Sequence, residues 1–123
     1  MINIQNARKW YGDEVKIGPL NIEIPKAGVT SLIGPNGAGK STTLLMIGRL
    51  LKMDEGQIKV ANMDVSASKS DDLAKILTIL RQENHFVTRL TVRQLAGFGR
   101  FPHSKGRLTK EDERIISKYI DFL

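Results

Sequence analysis

GPNGAGKST, running from Gly34 to Thr42, is the stretch around which the rest of the chain is arranged. It fits G-x-x-x-x-G-K-[ST], with Gly34 and Gly39 as the fixed glycines and Lys40 and Ser41 closing the pattern. Triphosphates require this spacing for a physical reason. Glycines let the backbone curl so that successive N–H groups point at anionic oxygens without a side chain in the way. The helix that follows offers its N-terminal N–H groups and dipole to negative charge. Lys40 supplies an ammonium for the β- and γ-phosphates, and Ser41 a hydroxyl for Mg²⁺. Thr42 adds a hydroxyl at the α-phosphate, and Gly37 permits the tight turn after Asn36.

Such a loop needs a strand before it and a helix after it. Val29 to Ile33 (VTSLI) is a β-prone run behind the breakers Pro25 and Gly28, and predicts the strand. Ser41 to Leu51 carries Leu44, Leu45, Ile47, Leu50 and Leu51 at mostly helical spacing without proline, and predicts the helix.

Working outward, residues 2–8 (INIQNAR) alternate apolar and polar as a half-buried strand does, with a turn beginning at Trp10, Tyr11 and Gly12. Leu20, Ile22 and Ile24 alternate again until Pro25. Two alternating strands joined by a polar loop predict an antiparallel pair. Tyr11 stands ahead of the phosphate loop, where its ring either stacks on adenine or lies half-buried on the sheet. Beyond the helix, Asp54-Glu55-Gly56 reads as a turn, Gln57 to Val60 as a strand, and Asn62 as a turn residue that tolerates a left-handed backbone. Ser68 is positioned to cap a short helix over residues 69–75, with Asp71 in its first turn. Ile76 to Leu80 (ILTIL) predicts a strand buried on both faces, ending in the polar cluster Arg81 to His85. Open α/β sheets place ligands at that edge.

Thr91 with Gln94 forms a capping box for a helix to about Gly97, followed by a loop through Gly99, Pro102, Ser104 and Gly106. Thr109 with Asp112 caps the last helix, whose Ile115, Ile116, Tyr119, Ile120 and Leu123 share one face. That helix reaches the final residue with no stop signal and with its apolar face unpartnered, so the chain is expected to be truncated.

A chain of 123 residues has room for one small domain with a real core. The absence of cysteine excludes disulfides and thiolate-ligated metals. The longest apolar run, Leu44 to Ile47, is far too short to span a membrane, and the N-terminus lacks the apolar core of a signal peptide. A cytoplasmic location is expected. The net charge of +6 is dispersed rather than blocked, and only 6% of residues are aromatic. That pattern favours a solvated basic surface over a base-stacking platform. His85 and His103 read as polar surface or loop residues, with no metal-ligand spacing to a second histidine.

With GPNGAGKST followed by Arg81-Gln82-Glu83-Asn84-His85, the sequence resembles the ATPase subunits of ABC transporters over essentially its whole length. RLTVRQL (Arg89 to Leu95), GFGRFPHSKGRL (Gly97 to Leu108) and TKED (Thr109 to Asp112) look like the branch that imports iron–siderophore complexes, with haem and cobalamin importers as near relatives. The resemblance implies an α/β fold of the P-loop NTPase, ABC ATPase type. Its parts would be N-terminal antiparallel strands, a mixed core sheet and the start of a helical subdomain, truncated. Residues 1–82 would be the nucleotide-binding core and 83–123 the beginning of the helical subdomain. The implied cofactors are ATP and Mg²⁺, held by Tyr11, Gly34, Asn36, Gly37, Ala38, Gly39, Lys40, Ser41, Thr42 and Gln82, with Ser41 and Gln82 at the metal. Tyr11 would stack on adenine. Gln82 would sense Mg²⁺ and the γ-phosphate, and the segment after it would dock on transmembrane permease subunits. The full-length protein would pair as a homodimer, peripheral on the inner face of the cell membrane, with no nucleic-acid partner. Asn62 departs from the family, where glycine is usual.

Hydrolysis requires an acidic residue for Mg²⁺ and a group that orients water. The family places an aspartate and then a glutamate at the end of a later apolar strand. Here Asp54-Glu55 is the only Asp-Glu preceded by an apolar residue, and Lys52 breaks any strand before it. No glycine pair exists, so the LSGGQ signature is absent, and the family's switch histidine lies beyond Leu123. The expectation is therefore an ATP-binding part of an importer ATPase that does not itself hydrolyse. The alternatives are a soluble ABC-type ATPase acting on nucleic acid or the ribosome, and an inactive fragment that self-associates.

Overall fold

Alternation in the first 24 residues becomes two long strands, β1 (Ile2–Tyr11) and β2 (Val15–Ile24), paired antiparallel as expected. The computed structural model describes residues 1–13, 15–80 and 89–122. The expectations for Gln82, for the Arg81–His85 cluster and for Leu123 lie outside the described residues. The chain divides into two compact units, Met1–Thr78 and Ile79–Leu123.

In the first unit β1 is central, flanked by β2 on one side and β3 (Glu55–Val60) on the other, with β4 (Met63–Asp64) outermost. All three pairings are antiparallel. Trp10 and Tyr11 belong to β1 rather than to the turn expected there, and β3 begins at Glu55 inside the turn expected at 54–56. A two-residue turn, Ala61-Asn62, joins β3 to β4 with φ of 48° and 67°. Both values are positive, as the tightest hairpin turns require, and Asn62 takes the left-handed backbone its side chain tolerates.

The paired Ile4 and Ile58 are fully buried, and Met46 of the helix α1 (Lys40–Ile47) closes over them. Ala7, Ile47, Val60, Val65 and Leu73 complete this core. Burying each large side chain contributes about 1.5–3 kcal/mol relative to leaving it in water, so this cluster fixes α1 to the sheet. The helix stops at Ile47, four residues before its expected end at Leu51. Gly48 is a poor helix former, and Arg49 takes a left-handed φ of 58° that turns the chain away.

Ser68 does not cap the next helix. α2 runs over Ser70–Ala74 with Lys69 at the capping position, and Asp71 and Asp72 supply the favourable charge in its first turn. Its Leu73 is the anchor in the core.

Two expected strands are irregular instead, the second beginning in a turn where Ile76 and Leu77 N–H both donate to Leu73 O. Val29 to Ile33 leaves Val29 98% and Ile33 90% exposed, and Ile76 to Leu80 leaves Leu80 89% exposed. A parallel strand exists only through hydrogen bonds to neighbours and cover on both faces. Among the described residues no strand pairs with either run, so β propensity alone does not order them.

The second unit is helical. α3 (Val92–Phe98) starts at the capping box read from the sequence: Gln94 N–H donates to Thr91 Oγ1 at 3.2 Å and Thr91 N–H to Gln94 Oε1 at 2.9 Å. Part of the expected loop is a short helix, α4 (Phe101–Ser104), which tolerates Pro102 because the first helical turn needs no N–H donor there. α5 (Lys110–Phe122) packs on α3, with Ile116 buried and its Cδ1 3.9 Å from the site of a Gly97 Cβ. Arg93 of α3 donates to Glu113 and Ser117 of α5, each at 2.9 Å. Tyr119 and Phe122 stay 63% and 85% exposed.

Candidate functional site

A bulge in β1 orders the site. Between Gln5 and Arg8 the strand has one residue more than β3 opposite, and the extra residue sits at Asn6, with φ of 48°. Asn21 of β2 satisfies it: Asn6 N–H donates to Asn21 Oδ1 at 2.9 Å, and Asn21 Nδ2 to Asn6 Oδ1 at 3.3 Å. Before the bulge Ile2 and Ile4 face the core; after it Ala7 does, and alternation carries Lys9 and Tyr11 onto that same face.

Ile17 of β2, the partner of Lys9, meets the phosphate loop on this face. A Cβ at Gly39 would lie 2.9 Å from Ile17 Cγ2, and Gly39 has a φ of 84°. Only glycine suits both the contact and the backbone at this point, immediately before α1. Gly37 has a similar φ of 83°, and Ala38 N–H closes the turn on Pro35 O at 3.3 Å.

The loop is open to solvent and lined by donors. The N–H groups of Lys40, Ser41 and Thr42 open α1, and among the described residues they have no carbonyl partner and no side-chain cap. These are the orphan donors of a helix start, here at a strand-free, exposed turn. Lys40 curls back over the loop, its Nζ donating to Gly34 O at 2.8 Å and Pro35 O at 2.7 Å. Ser41 is exposed, whereas Thr43 turns inward, its hydroxyl donating to Gly39 O at 2.9 Å. Three unpaired N–H groups, an ammonium and a hydroxyl fit a chain of phosphates. A divalent cation fits only as a companion of such phosphates, since Ser41 would be its one described ligand. Among the described residues no three His, Cys, Asp or Glu side chains cluster as a metal site.

Tyr11 is brought to the loop by its hydroxyl, 3.4 Å from Thr42 Oγ1, with the residue 45% exposed. The structure thus assembles Tyr11, Gly34, Asn36, Gly37, Ala38, Gly39, Lys40, Ser41 and Thr42 within one unit. His103 lies exposed in α4, in the other unit.

Two residues beside Tyr11, Lys9 and Asp54, had no site role assigned from the sequence. Lys9 Nζ lies 6.0 Å from the centroid of the Tyr11 ring and pairs with Asp54 Oδ1 at 3.0 Å. Asp54 Oδ2 also accepts from Trp10 N–H at 2.8 Å. That backbone donor, then the Lys9 ammonium, hold the Asp54 carboxyl below its usual range. The i, i+2 spacing of Lys9 and Tyr11 on a strand was a signal for the first contact. Nothing local announces Asp54. Among the described residues no helix is long and apolar enough to cross a membrane.

Comparison with known proteins agrees with this geometry. The family profile described as "ABC transporter" matches residues 17–121. The chain is 86% identical over all of its 123 residues to the petrobactin import ATP-binding protein FatE of Bacillus anthracis, covering 49% of that protein. It is 44% identical over 108 residues to the iron(3+)-hydroxamate import ATP-binding protein FhuC of Bacillus subtilis, covering 86% of this chain and 40% of that one. Among solved structures, a dimeric ATP-binding cassette in a post-hydrolysis state bound to ADP and Pi superposes with a TM-score of 0.75 at 25% identity, over 98% of this chain and 56% of that one. The chain spans about half the length of the curated relatives it matches.

Proposed function

Because this chain belongs to the ABC transporter family, we propose that it is the ATP-binding part of an importer ATPase serving iron–siderophore uptake. The observation that carries this reading is the loop itself: free N–H groups at the start of α1, with Lys40 turned over them and Tyr11 beside Thr42.

The backbone N–H groups of residues 37–42 bind the phosphates, and Lys40 exchanges its two loop carbonyls for β- and γ-phosphate oxygens. Gly34 and Gly39 keep the loop free of side chains, Asn36 and Ala38 shape its turn, and Ser41 with Gln82 holds Mg²⁺. Thr42 receives the α-phosphate and Tyr11 the adenine. In the whole protein the bound ATP supplies, on hydrolysis, the free energy that drives transport. Residues 1–82 act as the nucleotide-binding core, and 83–123 begin a helical subdomain whose first segment docks on permease subunits. Two copies of the whole ATPase pair on the inner face of the membrane; the dimeric cassettes among similar structures support that pairing. The names of the similar proteins support a ferric siderophore as cargo, petrobactin being the compound in the name of FatE and in three others. They give no support to action on nucleic acid.

Calorimetric titration of Mg-ATP into the purified chain tests the reading. Saturable binding is expected, weakened by about tenfold or more in Lys40→Ala, the scale of losing hydrogen bonds to a charged group. Absence of binding by the unmodified chain would sink the assignment of a working site to these residues.

A further inference from the structure

The tip of β1 extends past the end of β3. Their last paired residues are Arg8 and Glu55, so Lys9, Trp10 and Tyr11 have a strand neighbour only on the β2 side. A two-stranded ribbon is weakly stable by itself. Asp54 replaces the missing neighbour. Its N–H donates to Arg8 O at 2.9 Å, and its carboxylate takes Trp10 N–H at 2.8 Å and the Lys9 ammonium at 3.0 Å. The side chains of Lys9 and Asp54 are only 15% and 28% exposed, which sets this pair apart from the surface ion pairs Arg8–Glu55 and Lys75–Asp72.

We propose that Lys9 and Asp54 are positioning residues for the Tyr11 ring: their ion pair backs one face of the ring and leaves the opposite face for the base of the nucleotide. The proposal rests on the reading above that Tyr11 receives adenine. Three contacts fix the ring. Thr42 holds its hydroxyl end, the Lys9 ammonium stands 6.0 Å from its centroid, and Asp54 pins the backbone immediately before it. A cation at that distance attracts the negative face of an aromatic ring. Since Asp54 neutralises Lys9, the pair adds little net field at the phosphates. Its effect should therefore fall on the base.

The test compares Mg-ATP with inorganic tripolyphosphate, which has the phosphates and no base, by titration calorimetry on the whole chain. The ratio of the two affinities isolates the base. In Tyr11→Ala the ratio is expected to fall about tenfold, within the range of base–aromatic stacking. In Lys9→Met and in Asp54→Asn it is expected to fall about three- to tenfold, in the same direction for both, and Lys9→Arg is expected to restore it.

A purely electrostatic role would move tripolyphosphate binding in opposite directions in the two variants, since one removes a positive and the other a negative charge, and would leave the ratio unchanged. That result overturns the proposal. If Tyr11→Ala lowers the ratio and neither Lys9→Met nor Asp54→Asn does, the ring is positioned by other contacts and the proposal alone fails. If Tyr11→Ala leaves the ratio intact, or the unmodified chain binds neither ligand, the reading of the adenine site fails and the proposal falls with it. Should one of Lys9→Met and Asp54→Asn unfold, the other decides: a lowered ratio supports the proposal and an unchanged one overturns it.

Discussion

Asp112 shows how one side chain can hold two stretches of chain together. Its carboxylate accepts from Thr109 N–H at 2.9 Å, from the Thr109 hydroxyl at 2.7 Å and from Arg100 Nε at 2.7 Å. The Thr109 backbone donor, the Thr109 hydroxyl and the Arg100 guanidinium lower its pKa from 3.8 to about 2. Because the folded value lies below the unfolded one, the ionised form stabilises the fold. That contribution is complete above about pH 4 and is lost as the pH falls from about 4 to about 2. The melting temperature is expected to drop across that window, and to drop less in Asp112→Asn, whose residual slope comes from Asp54, Asp64 and Glu111. Thermal unfolding followed by circular dichroism at each pH measures this; equal slopes for the two proteins would refute it. Thr109 and Asp112 could be read from sequence because a capping box spans only four residues. Arg100, twelve residues upstream, could not. The same contrast separates the phosphate loop, whose donors lie within nine residues, from Asp54, which reaches Lys9 across 45 residues.

Among the elements, those that close on themselves formed, β1 and β2 each longer than the alternation marked out. The β1–β2 pair, α3 with its box and α5 with its cap need only neighbours along the chain or one turn away. VTSLI and ILTIL needed partners from elsewhere, and their exposed valine, isoleucine and leucine show that apolar composition without a ladder does not make a strand. The β1–β3 pair depends on Gly56 in a way composition does not announce. It stands opposite the bulge with φ of 91°, and a Cβ there would overlap the Asn6 carbonyl. Gly56→Ala is expected to destabilise the chain by more than about 1 kcal/mol, since both the backbone and the contact forbid it. A urea midpoint unchanged from that of the parent would count against this account of the bulge.

For the molecule as a whole, we expect binding and hydrolysis to separate. Water attack on a phosphate needs an acidic residue at the metal and a group that orients the water. The one Asp-Glu following an apolar residue is committed elsewhere, Asp54 to Lys9 and Trp10 and Glu55 to Arg8 at 3.1 Å. Among the described residues no carboxylate pairs with Lys40. We therefore expect this chain to bind Mg-ATP and to release negligible phosphate in a steady-state assay; turnover that disappears in Lys40→Ala would refute this. The bulge at Asn6 has a final implication, for how this architecture can change by insertion and deletion. A strand counts its faces in twos, so one extra residue inverts the odd–even assignment of everything after it. Were the bulge straightened with Asn6 kept, or one residue lost between Ala7 and Tyr11, the indole of Trp10 would inherit the inward place and the phenol of Tyr11 would turn out to water. In the first eleven residues, length constrains the binding site as tightly as identity does.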